Sequence, residues 1–175
     1  MLFEITGGIF GIVLIHLIGR KLLKRHMYGE IAIGLIIGFL WEILTSSSWN
    51  YGPRITILTF AGMPIPLEII LGWGSLLPAV FLLNIFLQKK LVKTPNTTSF
   101  FIMGLVSIFL IAIVTESFGY NAGYWTYVGT FSGFVPILNL PVEILVGWFF
   151  YGTLFLAVTR VYHRELEAKF FGKPD

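Results

Sequence analysis

Five stretches of this chain, near residues 3–20, 29–46, 66–88, 99–117 and 141–160, are each long and apolar enough to cross a lipid bilayer. A hydrocarbon core of roughly 30 Å takes about 20 helical residues, and every run comes close to that length. A chain of 175 residues with five such runs has no room left for a soluble core. The pattern predicts an all-α, polytopic transmembrane helical bundle, one membrane domain over residues 1–175, since only closed hydrogen-bonded helices suit such segments. Composition agrees, with 56% hydrophobic and 12% charged residues and a mean hydropathy of +0.84. An average soluble domain carries roughly 25% charged residues.

The segments between the runs set their direction. Arg20, Lys21, Lys24 and Arg25 follow the first run, Lys89, Lys90 and Lys93 the third, and Arg160, Arg164, Lys169 and Lys173 the fifth. Eleven of the twelve basic residues therefore fall on one side, and Arg54 alone on the other. Positive loops stay cytoplasmic, which predicts an external N-terminus and a cytoplasmic tail over 161–175. The net charge of +3 is read as topology, because the basic clusters carry no interleaved aromatics, and nucleic acid is not an expected partner. Glu4 precedes the first run and its positive charges follow, the reverse of a secretory signal, so that span is expected to persist. The Asn96-Thr97-Thr98 sequon falls in a cytoplasmic loop on this topology and should carry no glycan.

The chain also matches itself at an offset of about 75 residues, over approximately 29–88 and 99–160. Glu42 aligns near Glu116, Trp49-Asn50-Tyr51 near Trp125-Thr126-Tyr127, Pro66-Leu67-Glu68 with Pro141-Val142-Glu143, and Gly72-Trp73 with Gly147-Trp148. An even number of spans separates the copies, so they read as a parallel repeat about an axis along the membrane normal. The first span lacks a counterpart unless the apolar loop near 128–140 dips into the membrane as a sixth.

Four of the nine acidic residues, Glu42, Glu68, Glu116 and Glu143, belong to this repeat and lie toward the external ends of spans. A carboxylate in a span costs about 2.5–3.5 kcal/mol on insertion scales, which makes each a functional candidate. Glu68 and Glu143 follow a proline that looks like a first helical residue, where the helix dipole favours negative charge and offers a structural explanation. Glu42 and Glu116 sit toward helix C-termini, where the dipole offers none. Glu4 is read as interfacial and Glu30 as standing at the cytoplasmic edge of the second span.

Trp49, Tyr51, Trp125 and Tyr127 have two readings, as belt aromatics at the interface or as the walls of a cleft. In a cleft their faces would attract cations, Trp73 and Trp148 would extend the lining, and Asn50, Asn121 and Asn139 could orient the carboxyls. His16, deep in the first span without a partner at helical spacing, reads as a packed or hydrogen-bonded histidine. Gly7, Gly8, Gly11, Gly34 and Gly38 read as helix-contact surfaces.

The chain has no cysteine, which removes disulfides, thiolate metal sites and thiol nucleophiles. It has no Glu-x-x-His pair for a di-metal bundle, phosphate loop, dinucleotide fingerprint, zincin motif or nucleophile elbow. The residues expect neither a metal nor any other cofactor. What they offer is a set of carboxyls among aromatics, able to donate a proton on one side and accept it on another.

The stretch Trp49-Asn50-Tyr51-Gly52-Pro53-Arg54-Ile55-Thr56 with Gly62-Met63-Pro64-Ile65-Pro66-Leu67-Glu68 resembles the lycopene cyclase domain of integral-membrane carotenoid cyclases. The second copy, from Thr115-Glu116 through the Tyr-rich loop to Pro136 and Pro141, is similar to the related carotenoid hydratase family. The resemblance spans roughly residues 29–160. It implies that Glu68 and Glu143 are the family's Pro-x-Glu acids and that Glu42 and Glu116 are membrane carboxyls preceding the aromatic loops. It also implies redox-neutral acid chemistry on a long polyene, in which a terminal double bond is protonated and the cation closes a ring, loses a proton or captures water. The family's Pro-Leu-Glu-Glu stands here as Pro-Leu-Glu-Ile and Pro-Val-Glu-Ile, each without the second acid.

The expectation is thus a multi-pass membrane enzyme acting on a carotenoid or other isoprenoid lipid. Glu42 and Glu116 are its first acid and base, and Glu68 and Glu143 its second. Two alternatives stand beside it: a non-catalytic ligand-binding or transport subunit with an external aromatic and carboxylate pocket, and a proton or cation pathway. The pathway ranks last, since no polar chain is evident toward the cytoplasmic side. Expected partners are the bilayer and an apolar substrate, with a homo-oligomer left open.

Overall fold

The computed structural model describes residues 2–52, 55–60, 62–129, 134–135 and 140–163. Arg54, Pro136, Asn139, the tail beyond 163, much of the 128–140 loop and the side chain of Glu4 lie outside the described residues. Five helices carry the fold: α1 (Leu2–Leu23), α2 (Tyr28–Thr45), α3 (Leu67–Leu91), α4 (Thr97–Asn121) and α5 (Val142–Val161). Each is long and apolar enough to span a membrane. Large hydrophobics face outward on all of them, among them Phe10, Leu44, Leu91, Val114 and Phe150. Contiguous exposed apolar surface of this kind suits a lipid-facing bundle.

Helix α4 runs on to Asn121 and does not stop at 117, because nothing breaks it before Gly123 takes a φ of +73°. Its start is fixed by a capping box, in which the Asn96 side chain accepts from the Ser99 amide and Ser99 accepts from the Asn96 amide. The sequon asparagine is thus part of a helix cap.

Helix α3 is central and packs against α1, α2 and α4, while α5 closes the bundle against α4 and α2. Two glycines set the α2–α3 approach. A Cβ on Gly38 would lie 2.2 Å from Trp73 Cβ, and one on Gly34 would lie 3.0 Å from the Trp73 carbonyl oxygen. Without side chains there the backbones meet closely, which is how spans associate when lipid removes the hydrophobic drive between them. Gly8 and Gly11 seat α1 on Leu71 and Ser75 of α3 in the same way. Gly7 departs from the expected helix-contact role, since a Cβ there would meet nothing within 4 Å.

The α2–α3 and α4–α5 connections were expected to be loops, yet among the described residues they form three small antiparallel pairs. Strand β2 (Thr56–Phe60) turns at Gly62, φ +82°, onto β3 (Met63–Pro66), and β5 (Phe134–Val135) pairs with β6 (Leu140–Pro141). Strand β1 (Trp49–Asn50) pairs with β4 (Thr126–Tyr127), Trp49 opposite Tyr127 and Asn50 opposite Thr126. That last pairing ties the α2–α3 connection to the α4–α5 connection at one end of the bundle.

At the opposite end Glu30 and His16 find partners that local spacing does not show. Glu30 stands in the first turn of α2, at the edge of the span as expected, and is fully buried there, its Oε1 accepting from Arg25 and from His163 Nε2 at 2.8 Å. His16 gains its partner through the α1–α2 turn, which brings His26 Nδ1 to 3.3 Å from its Nε2, with Tyr28 stacked on both rings. Polar groups also continue through this half: Asn84 donates to the Phe100 carbonyl and accepts from Gln88, and all three sites are buried.

Candidate functional site

The four glutamates singled out in the sequence reach one place from four helices. Glu42 lies in the last turn of α2 and Glu116 inside α4, more than a turn before its end. Glu68 and Glu143 occupy the first turns of α3 and α5. Pro66 and Pro141 prove to be the extended N-caps of these helices, with ψ of 133° and 135°, and not their first helical residues. Each proline fixes the backbone just before the helix, and the carboxylate two residues later benefits from the helix dipole.

All four carboxyl side chains line a single cavity of about 460 Å³. Glu42 is 2% exposed and accepts on both oxygens, from Trp73 Nε1 at 2.9 Å and from the Tyr51 hydroxyl at 2.7 Å. Glu116 is also buried and accepts from Trp148 Nε1 at 2.6 Å. Glu143 accepts from the Tyr127 hydroxyl at 2.9 Å. A buried carboxyl must find donors or forfeit its hydration, and indole N–H groups serve without adding charge.

One geometric fact dominates this site. The Trp73–Glu42 bond and the Trp148–Glu116 bond join residues 31 and 32 apart, and the two indole rings meet with centroids 4.9 Å apart at 56°. Tyr151 stands edge-on to Trp73 at 4.7 Å, and Trp41 lies 4.3 Å from Tyr151. The carboxyls are thus backed by a continuous aromatic wall.

No family model, curated protein or solved structure matches the chain. Its function has to be argued from the residues themselves.

Of the aromatics singled out in the sequence, Trp49, Tyr51, Trp73 and Trp125 line the cavity. Tyr127 and Trp148 stand behind it, bonded to lining glutamates. Burial holds the Tyr51 hydroxyl well above the usual phenol range, and the neighbouring Glu42 carboxyl pushes it further. Tyr51 therefore donates to Glu42 across the working pH range. Asn50 and Asn121 do not orient the carboxyls: Asn50 Oδ1 accepts from the Gly52 amide, and Asn121 Nδ2 donates to the Ser117 carbonyl. Short polar side chains at turns and helix ends find backbone partners first. Among the described residues no three His, Asp or Glu side chains gather into a metal-ligand set.

Sequence reasoning missed Tyr151 and Trp41. Tyr151 lies three residues after Trp148, one helical turn along the same face, and that spacing was the available signal. Trp41 sits beside Glu42 in the chain, and its partners on α5 come only from tertiary contact, with its ring tip 2.7 Å from where a Gly147 Cβ would stand.

Proposed function

We propose that this chain is a multi-pass membrane enzyme that uses glutamate pairs for cofactor-independent proton chemistry on a polyene isoprenoid or similar lipid, as its resemblance to lycopene cyclases and carotenoid hydratases suggests. The observation that carries the reading is the doubled Trp–Glu pair facing one apolar, aromatic-walled cavity. In this reading the two halves are a parallel repeat, the N-terminus is external, and the site opens in the outer leaflet.

One carboxyl, Glu42 or Glu116, gives its proton to the terminal alkene carbon, and the π pair forms the new C–H bond. The positive charge left on the neighbouring carbon faces the lining rings of Trp41, Trp73 and Tyr151, whose quadrupoles stabilise a cation. The internal π bond then closes a ring and a proton passes to the opposite carboxylate, or water adds and loses its proton there. Both outcomes balance without any redox partner. Glu68 and Glu143 assist as the second pair at the helix starts.

The test is expression in a bacterial host that accumulates lycopene, with extracted pigments compared by chromatography and mass against an empty vector. A product of unchanged mass or one heavier by water supports the reading, and its loss in Glu42→Gln and Glu116→Gln assigns the acids. Full conversion by both variants would sink the mechanism. The same cavity also fits a second reading, a subunit that captures an apolar ligand without changing it, since concave aromatic sites with few polar groups bind small molecules generally. Recovery of an unmodified ligand with the purified protein would favour that.

A further inference from the structure

The cavity reaches beyond the carboxyls. Its lining includes Gly7 and Gly8 of α1 and Gly72 and Ser75 of α3, so it extends into the seam between these two helices. Helix α1 is the least buried of the five. It rests mainly on α3, held by Gly8, whose Cβ would lie 2.7 Å from Leu71 Cβ, and by Gly11, whose Cβ would lie 3.1 Å from Ser75 Oγ.

Gly7 and Gly72 stand apart from those contacts. A Cβ on either would meet nothing within 4 Å, although both are helical and both line the cavity. A glycine inside a helix costs stability relative to alanine, and here no close approach of another helix requires it. Gly7 is also exposed, so at this point the cavity wall and the outer surface are the same backbone. The next residues of α1, Ile9 and Phe10, are 51% and 65% exposed and belong to the apolar outer surface.

We infer that the seam between α1 and α3 at Gly7 and Gly72 is a lateral mouth, through which a lipid with one long, thin, unsaturated chain slides from the bilayer until its end reaches the glutamates. This rests on the proposed function and adds the route and shape of the substrate. A slot walled by bare backbone lets a flat chain lie close against both helices, where a side chain would narrow the way. A cavity of about 460 Å³ lined by the four carboxyls holds the reacting terminus, and the rest of the chain stays in lipid. The cavity has a second exposed rim at Phe118 and Tyr124, whose aromatic rings lie 6.0 Å apart. That rim carries two bulky side chains, whereas the seam at Gly7 and Gly72 carries none of its own.

The test uses full-length protein in phosphatidylcholine nanodiscs, titrated with parinaric acid, a conjugated tetraene fatty acid that accepts energy from tryptophan. Trp41, Trp49, Trp73 and Trp125 line the cavity, so a chain seated there gives saturable energy transfer. Gly72→Leu should weaken the apparent affinity at least tenfold and Gly7→Leu somewhat less, with intrinsic tryptophan emission and melting unchanged. Leucine suits a helix better than glycine and meets open space at both positions, so these variants fold. Wild-type affinity in Gly72→Leu, Gly7→Leu and the double variant would overturn the mouth, as would loss of binding confined to Phe118→Trp, which would place the route at the α4 rim. The two readings fail separately. Saturable binding sensitive to Gly72→Leu without any lycopene conversion would leave the mouth standing and remove the chemistry. Conversion that survives Gly72→Leu would keep the chemistry and remove the mouth.

Discussion

Glu30 and Glu42 stand on the same helix, both buried, and they are held in opposite ways. Glu30 accepts from Arg25 and His163, groups that carry or can take positive charge. Glu42 accepts from Trp73 and Tyr51, which stay neutral. A carboxylate matched by a cation is a tie: it joins the α1–α2 turn to the end of α5 and has little left to exchange. One held by neutral dipoles keeps its charge uncompensated and its proton in play. The difference separates an acid tied by cationic partners from one held by neutral donors within α2, where the sequence set Glu30 at the span's edge and Glu42 among the functional candidates.

The largest effect should come from the acid held by neutral donors. Glu42→Gln is expected to lower polyene conversion at least about 100-fold, the low end for a positioned proton donor or acceptor and equivalent to about 2.7 kcal/mol of barrier. Its melting temperature in detergent should move by less than about 3 °C. Glu30→Gln should do the reverse, lowering melting by about 4–8 °C, or about 2 kcal/mol, while conversion per folded molecule survives. Breaking a buried ion pair costs more than this in a sealed site, but the Arg25 side chain keeps 28% of its exposure and regains part of its hydration. If both variants lose activity and stability alike, the contrast between the two acids is gone.

Trp73→Phe sharpens the comparison by keeping a ring and deleting only the indole N–H donated to Glu42. One hydrogen bond to a charged group is at stake, about 1.5 kcal/mol, so conversion should fall about tenfold. Tyr51→Phe removes the second donor and should cost about 1 kcal/mol of stability. Because the folded protein holds the Tyr51 hydroxyl above its unfolded value, that contribution is fully present below about pH 10 and is lost only as pH rises through the raised value. Melting of Tyr51→Phe and wild type should therefore differ by a constant amount from pH 6 to 9. A difference that shrank across that range would mean Tyr51 ionises near neutrality.

Much of this was legible along the chain. The five helices long and apolar enough to cross a bilayer follow from length and apolarity alone. Gly34 and Gly38 announced a close helix contact by their spacing, and Trp73 sits on it. The candidate glutamates and their tryptophans came from recurrence at equivalent positions. The bond from Trp73 to Glu42 did not, since each indole could equally have faced lipid, and only the rotation of α3 against α2 chooses. His163 reaching Glu30 across 133 residues left no local trace, so Glu30 read as an edge residue and its partner stayed hidden. Gly7 and Gly8 are neighbours of one type and both border the cavity, yet Gly8 seats α1 on Leu71 while a Cβ on Gly7 would meet nothing within 4 Å.

The amino-acid sequence by itself determined that this chain forms five helices long and apolar enough to cross a bilayer, with acids and aromatics near their ends, because the fitness of a segment for lipid depends on its own composition. Tertiary structure alone decided which acids face neutral donors and which face a cation. It also decided which loops pair as strands and which glycine stays bare. Those outcomes depend on helix rotation and on partners tens of residues away, where hydrogen bonds, not hydropathy, distinguish one buried carboxyl from another.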